Sequence, residues 1–411
     1  MSLLSGTSRR IVGSVEELCA SDVDDRTLRR RVLDVLRPAL GVDAYAWLLS
    51  DPATAVGSAP LADVPWFSEL PRQIRLKYAT RVNRWTALSG SVGTLDVATG
   101  GDRGQSLVWR ELLTRYGVGD VASVVFRDRF GCWAFLELWR NADRGSFSPE
   151  HIALLEALAD PLTAALRRRA AQSFGPPTDC EGAPGPVVLL LAPDLQVRVQ
   201  TESTSGYLRV LVPPDDERAP VPAGAYNVAA QLLAVEGGVD PAPPIARTHL
   251  TGGRWVTFRA ARIGVAEPSE RRDIAVTIEV TDPVSRADLF ARACGLSGRE
   301  REVLDHLVIG QDTMEVARRM FVSPNTVQDH LKSVFDKTGV RNRRTLLARA
   351  LGTSNNDGDA QMTLPWVGRE QQSQGEGQVR AVRVRDSVAE GRAGDESVPP
   401  VQPSGRGEEV L

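Results

Sequence analysis

LSGREREVLDHLVIGQDTMEVARRMFVSPNTVQDHLKSVFDKTGVRNRRTLLARAL, residues 296–351, carries enough punctuation to be parsed into helices from its caps alone. Ser297 and Glu300 make the S-x-x-E pattern of a capping box, in which each satisfies an orphan backbone donor of the other. Behind them Val303, Leu304, Leu307 and Val308 fall on one helical face, and Gly310 stops the helix. A second short helix, 313–320, buries Val316, Ala317 and Met320. Phe321-Val322 form the turn, Ser323 caps a third helix and Pro324 takes its first position, where a missing N–H costs nothing. Gly339 ends that helix; Asn342 caps a fourth, whose apolar stripe is Leu346, Leu347 and Ala350.

The third helix divides into two faces. Val327, Leu331, Val334 and Phe335 sit at i, i+4, i+7, i+8 and must face a core, whereas Asn325, Gln328, Asp329, Lys332 and Asp336 fall opposite. A short helix, a tight turn and a second helix with a polar outer face is helix-turn-helix geometry, in which the second helix enters the major groove of DNA. The side chains suit base edges: Gln pairs bidentately with adenine, Asp accepts from the cytosine amino group, and Lys donates to guanine. Ser323, Asn325, Thr326 and the free N–H groups of the helix start are placed to hold phosphates, with Lys337 and Arg341 near the other end. The competing reading is that any four-helix unit turns a polar, partly charged face to solvent.

Family likeness tips that balance. The segment resembles the LuxR-type C-terminal domain, an all-α four-helix helix-turn-helix. The likeness runs through L-S-x-R-E-R-E-V-L at 296–304, Gly310, E-V-A at 315–317, S-x-x-T-V-x-x-H at 323–330 and K-x-G-V-x-N-R at 337–343. It implies base contacts at Gln328, Asp329 and Lys332, and pairing of two subunits through the helix near 342–351. Thr338 and Met320 stand where leucine is usual, and His330 matches the family's histidine as a packing residue. An acid in the groove repels phosphate, so Asp329 is expected to lower non-specific affinity and to be tolerated best over a C·G pair.

Charge is consistent once it is read locally. The whole chain is acidic, net −3, and its basic side is almost all arginine, 46 against three lysines, a bias that carries no signal of nucleic-acid binding here. From Ser323 to Leu351, however, six basic residues face two acidic ones, whereas Gly352–Leu411 holds six basic and ten acidic. A phosphate backbone feels the local field.

Working outward, four more zones can be drawn. Residues 1–172 read as an α+β domain. DVDDRTLRRRVLDVLRPAL, 22–40, is an amphipathic helix with Leu28, Val32, Val35, Leu36 and Leu40 inward, stopped by Gly41; VDAYAWLLS is a strand. VASVVFRD and CWAFLELW flank a hairpin turn, and Ser148-Pro149-Glu150 opens a closing helix. SFGPPTDCEGAPGP, 173–186, is a Pro/Gly linker. Residues 187–282 form a smaller α+β unit: VVLLL with LQVRVQT, short helical pieces around YNVAAQLLAVE, a hairpin IARTHL–TGGR–WVTFRAARI, and DIAVTIEV. The terminal domain spans 288–352. The tail 353–411 has few apolar residues to offset its ordering entropy, so disorder is expected.

Other chemistries find little support. No run reaches the ~18 apolar residues of a membrane helix, the N-terminus has no secretory pattern, and Cys19, Cys132, Cys180 and Cys294 are too scattered for zinc or a disulfide framework. LuxR-type heads are joined to several sensors. A phospho-receiver needs a lysine that Lys77, inside IRLKYATRVNRW, does not supply. The lactone-sensor signature W-x-x-x-Y-x-x-x-D fails at Trp47 and Trp85, and no P-loop is present. What remains resembles a GAF domain in the first unit and a PAS domain in the second, an architecture typical of actinobacterial regulators. Tyr45, Trp47, Trp133, Phe135 and Trp139 can be read as a ligand pocket or, more plainly, as sheet–helix packing. His249 and His151 are lone histidines, and Cys132 reads as a buried small hydrophobe.

The expectation is therefore a cytoplasmic, one-component transcription regulator that binds double-stranded DNA as a homodimer. A small-molecule effector and RNA polymerase are compatible partners; a membrane, a cofactor, a metal and catalysis are not expected. The rivals are a scaffold whose terminal domain binds protein, or an unrecognised enzyme in the first domain.

Overall fold

The computed structural model describes residues 4–175, 187–202, 204, 223–250, 253–264 and 272–353. The expected linker and the expected disordered tail lie, apart from 173–175 and Thr353, outside the described residues, as do the first two residues of the TGGR turn. The rest belongs to one compact unit.

The first two helices, α1 (Gly6–Ala20) and α2 (Asp25–Leu40), pack against each other. Asp24 caps α2 by accepting the Thr27 N–H, and Gly41 ends it in the left-handed region, at φ 59°, where a side chain would be strained. Inside it Leu28, Val32, Leu33, Leu36 and Leu40 are buried, and the expected Val35 packs half-buried against the same core. The sequence reading omitted α1. Its two glycines and short apolar spacing hide it, and it is held by Ser5 capping Ser8 and by Ser8 Oγ donating to Glu150, 142 residues away.

Five antiparallel strands follow: β1 (Ala44–Ser50), β2 (Gly57–Asp63), β3 (Val92–Thr94), β4 (Val118–Asp128) and β5 (Gly131–Asn141), in the order β2-β1-β5-β4-β3. Between them lie α3 (Leu70–Ala79) and two short helices, α4 (Leu95–Ala98) and α5 (Leu107–Glu111). The closing helix α6 (Pro149–Gln172) is capped by Ser148, with His151 Nδ1 accepting the Ser148 N–H in return. Alternation along the strands divides the core. Trp47, Val124, Phe126 and Leu136 meet α1, α2 and α6 on one face, whereas Leu48, Val125 and Phe135 point to the other.

That second face is covered by the next unit. Strands β6 (Val187–Leu191), β7 (Val197–Gln200), β8 (Ile245–His249), β9 (Trp255–Arg262) and β10 (Ile274–Val280) pair antiparallel in the order β7-β6-β10-β9-β8. Numbered within each unit, both sheets have the same strand order. The expected short helical pieces are one 14-residue helix, α7 (Ala223–Glu236). Its run of small and apolar residues is buried on nearly every side, between β9 and α3, so no amphipathic period was there to read.

Two buried clamps fasten the two α+β parts together. Asp51, fully buried, receives Arg247 Nε at 2.6 Å and Nη2 at 2.9 Å. Arg84 reaches Asp240 at 3.1 Å and Gln231 at 2.9 Å.

Five helices complete the described chain: α8 (Pro283–Ala293), α9 (Gly298–Val308), α10 (Thr313–Met320), α11 (Pro324–Thr338) and α12 (Arg343–Leu351). Residue 288, near which the terminal domain is expected to start, lies inside α8, which begins at an Asp282 cap. Leu289 and Phe290 are fully buried, and α8 packs on α6, α9 and α12.

The five aromatic residues do not share one pocket. Trp47 stacks on Phe126, Phe135 on Trp85, and Trp139 meets Trp66 edge-on, in three separate clusters, with Tyr45 under Arg37 at the surface. Packing is the role of these four, whereas Trp133, part of the first core, also borders the space between the two sheets. Burial raises the Cys132 thiol to about 11, as suits an inert small hydrophobe.

Candidate nucleic-acid interface

The helix pair α10–α11 is set by its caps. Asp312 and Glu315 make a reciprocal capping box at the start of α10. Val316, Ala317 and Met320 are buried beneath it, and the chain turns at Phe321 in the left-handed conformation, φ 57°. Ser323 then caps α11 by accepting the Thr326 N–H at 3.1 Å, its hydroxyl also sharing a 2.9 Å bond with Thr326 Oγ1. Gly339 closes α11 at φ 66°. Val327, Leu331 and Val334 are buried and Phe335 half-buried, as the spacing requires.

All five residues of the opposite face, Asn325, Gln328, Asp329, Lys332 and Asp336, are exposed. The three expected base-contacting side chains thus lie together on the outer surface of the first two-thirds of α11. Ser323 and Asn325 are exposed at its N-terminus with Thr326 half-buried beside them, and Arg341 is exposed beyond its C-terminus. This is a continuous polar strip one helix wide, the size of object a major groove admits.

Lys337, expected at the phosphates, is exposed but also has a partner within the chain. Its ammonium donates to both oxygens of Glu300, at 2.6 and 2.8 Å, and Ser333 Oγ donates to the same carboxylate at 2.6 Å. Glu300 is at once the capping-box partner of Ser297 and the buried anchor that ties α9 to α11. Burial alone would raise its carboxyl, but the bonds from Lys337, Ser333 and Ser297 outweigh that and hold it at about 2, against an ordinary 4.5. A carboxyl depressed in the folded state contributes stability above its unfolded value and loses it as pH falls through the folded one. Local stability of α9–α11 should therefore decline between about pH 4.5 and 2. Glu300→Gln should remove on the order of 1–2 kcal/mol at pH 7, the partly exposed Lys337 being screened by solvent, and flatten that decline. Hydrogen exchange of the α9–α11 amides measures both; a variant as protected as the parent would refute the assignment.

Sequence reasoning overlooked two kinds of residue here. Arg318 and Arg319 are exposed on the last turn of α10, opposite its buried stripe, and add cations beside the strip. Their position relative to Val316, Ala317 and Met320 was the available signal. Phe321 is 94% exposed although it is large and apolar. Left-handed backbone costs a non-glycine residue about 1–2 kcal/mol, and so little burial recovers none of it. Phe321→Gly should accordingly raise stability by about 1 kcal/mol, readable as a higher melting temperature. An unchanged or lower value would show that the turn is not strained.

The expected pairing helix, α12, is partly engaged within the chain. Arg286 of α8 donates to the Arg349 and Ala350 carbonyls, and Arg349 donates to the Phe174 and Thr338 carbonyls at 3.1 and 2.8 Å. Leu346, Ala348 and Ala350 are buried and Leu347 half-buried.

The profile described as "Bacterial regulatory proteins, luxR family" matches residues 295–350. The segment is 39% identical over 56 residues to "Probable transcriptional regulatory protein NarL" of Mycobacterium tuberculosis, 14% of this chain and 26% of that protein. It is 48% identical over 48 residues to the "CsgBAC operon transcriptional regulatory protein" of Escherichia coli K12, 12% and 22% of the two chains. "Spore germination protein GerE" of Bacillus subtilis is 38% identical over 56 residues, which cover 14% of this chain and 76% of that one. The match thus spans about a quarter of the length of the NarL and CsgBAC regulators and most of the length of GerE. In this chain it starts just after α8 and ends within α12.

Proposed function

The chain belongs to the LuxR family of bacterial regulatory proteins, and from that premise we propose that it is a sequence-specific, DNA-binding transcriptional regulator. The carrying observation is the exposed strip of α11, with Gln328, Asp329 and Lys332 outward over a helix whose other side is locked into the core. In this reading Gln328, Asp329 and Lys332 meet base edges, and Ser323, Asn325, Thr326 and Arg341 hold phosphates. Two copies pair through 342–351, and the protein works in the cytoplasm. Among the described residues no helix is long and apolar enough to cross a membrane.

The strand order common to both sheets supports reading 1–172 as GAF-like and 187–282 as PAS-like. These units would act as the sensors of a one-component regulator. Mapping the DNA bound by the protein across its genome, alongside Lys332→Ala, tests the proposal. Discrete peaks lost in the variant are expected, and peaks unchanged in it would overturn the assigned face. A scaffold binding protein would yield no salt-sensitive DNA complex, because counterion release makes specific DNA affinity fall steeply with salt.

A further inference from the structure

The space between the two sheets measures about 390 Å³, within the ~300–1,000 Å³ range of small-molecule pockets, and DNA reading does not use it. Much of its wall is apolar: Leu49, Ala59, Trp133, Leu166, Ala170 and Leu250 all line it. Of the residues around it only Asp24, the cap of α2, is exposed, which places its mouth at the start of that helix.

The arginines around this space are unevenly committed. Arg29 donates to Asp25 and to the Trp47 and Ala59 carbonyls, and Arg247 donates to Asp51. Arg169 is satisfied by backbone alone, through the Val23 and Ser21 carbonyls. Arg26 stands apart. It is half-buried in the lining, and its guanidinium makes no hydrogen bond or ion pair among the described residues. The Asp24 carboxylate nearby is engaged with the Thr27 N–H and hydroxyl. His249 borders the space as well. Burial pushes its ring down to about 4, with Asp25 pulling the other way and Arg286 adding to the push, so it is neutral at pH 7. The four arginines thus face three carboxylates, those of Asp24, Asp25 and Asp51, and one positive charge is left in excess.

A free guanidinium beside apolar walls suits a carboxylate, whose two oxygens match its paired N–H groups. A doubly charged group would exceed that surplus and meet Asp24 and Asp25 at the mouth. We propose that this space binds a monocarboxylic acid with an apolar, ring-sized body, its carboxylate on Arg26 and its body against Leu49, Trp133, Leu166 and Ala170. Another wall leads to the DNA-binding helices. There Trp255 stacks on Phe174 at 4.8 Å, and Phe174 meets Phe290 of α8 edge-on. The Arg286 guanidinium lies over Phe174 and donates to the Ala350 carbonyl of α12. An occupant therefore shares neighbours with the packing that seats the last helix.

Calorimetric titration of the full-length protein compares cinnamate with cinnamamide, which keeps the body and loses the charge. Saturable one-to-one binding of the acid is expected, at least about tenfold tighter than the amide, the ordinary gain from a charge-assisted contact. Arg26→Gln keeps a long polar chain at a half-buried helical position. It should bring the acid down to the level of the amide and leave the amide unchanged, whereas Arg26→Lys should retain part of the difference. Ala170→Leu should narrow the space and weaken both probes. No saturable binding of the acid, an amide as tight as the acid, or an Arg26→Gln protein that binds the acid like the parent would each overturn the assignment. So would unchanged acid binding in an Ala170→Leu protein of parent melting temperature, since the acid would then sit elsewhere. Should Ala170→Leu melt lower, Arg26→Gln decides alone. DNA is absent from every arm, so failure here and failure of the DNA-binding reading are separate results.

Discussion

Arg247→Ala should lower the stability of the two-sheet region by about 3–5 kcal/mol, because it leaves a fully buried carboxylate without its counter-charge. Asp51 is wholly enclosed, and Arg247 meets it with two side-chain nitrogens and its own backbone N–H at 2.9 Å. The Ala53 and Thr54 amides also donate to Asp51, so the carboxylate orders the β1–β2 loop as well as the contact between units. Replacing both partners by apolar residues, Asp51→Leu with Arg247→Met, should recover much of the loss, since the pair's own desolvation is then avoided. Urea unfolding of the two single variants and the double variant forms the cycle. A single-variant cost below about 1 kcal/mol, the ordinary value of an exposed pair, would show that this bridge does not clamp the sheets.

At the DNA face, Lys332→Ala and Gln328→Ala should each weaken operator binding by about 1–3 kcal/mol, roughly 5- to 150-fold, and relax selection at one base position. Asp329→Ala should act in the opposite sense on random DNA. Removing an acid that faces phosphate raises non-specific affinity while base preference falls, so the specificity ratio shrinks from both ends. Lys337→Ala provides the internal control. Its ammonium is held by Glu300, so it should change stability and leave the slope of log affinity against log salt nearly untouched, whereas Arg341→Ala should reduce that slope by about one. Fluorescence anisotropy at several salt concentrations separates these outcomes. A Lys337→Ala slope that drops like that of Arg341→Ala would place Lys337 on the phosphates after all.

What the sequence made legible was local. Ser297 with Glu300, Ser323 with Pro324, Gly339 and Asn342 fix helix ends by interactions spanning three or four residues, and each stands where it was read. The two hairpins of the second unit and the long β4–β5 hairpin were equally plain, because their strands adjoin in sequence. What escaped was non-local or lacked a period. Helix α7, buried almost all round, shows no amphipathic stripe. The partner of Lys337 is 37 residues away and that of Arg247 is 196. No spacing rule could tell an ammonium aimed at Glu300 from one aimed at DNA. For the same reason His249 reads as a lone histidine until the β8–β9 register sets Trp255 opposite it.

Helix α8 bears on how such proteins can be recombined. It belongs to two packing neighbourhoods at once, giving Phe290 to the stack beside the second sheet and Arg286 to the last turn of α12. A chimera joined at residue 288 would sever it mid-turn and strand half its buried face on each parent. A seam before Asp282 keeps the Asp282–Ser285 cap with the helix. Even there, the incoming head must present a residue able to replace Phe290 against Phe174. Transplanting the reading head onto another N-terminal region is thus less a matter of exchanging a module than of matching a socket.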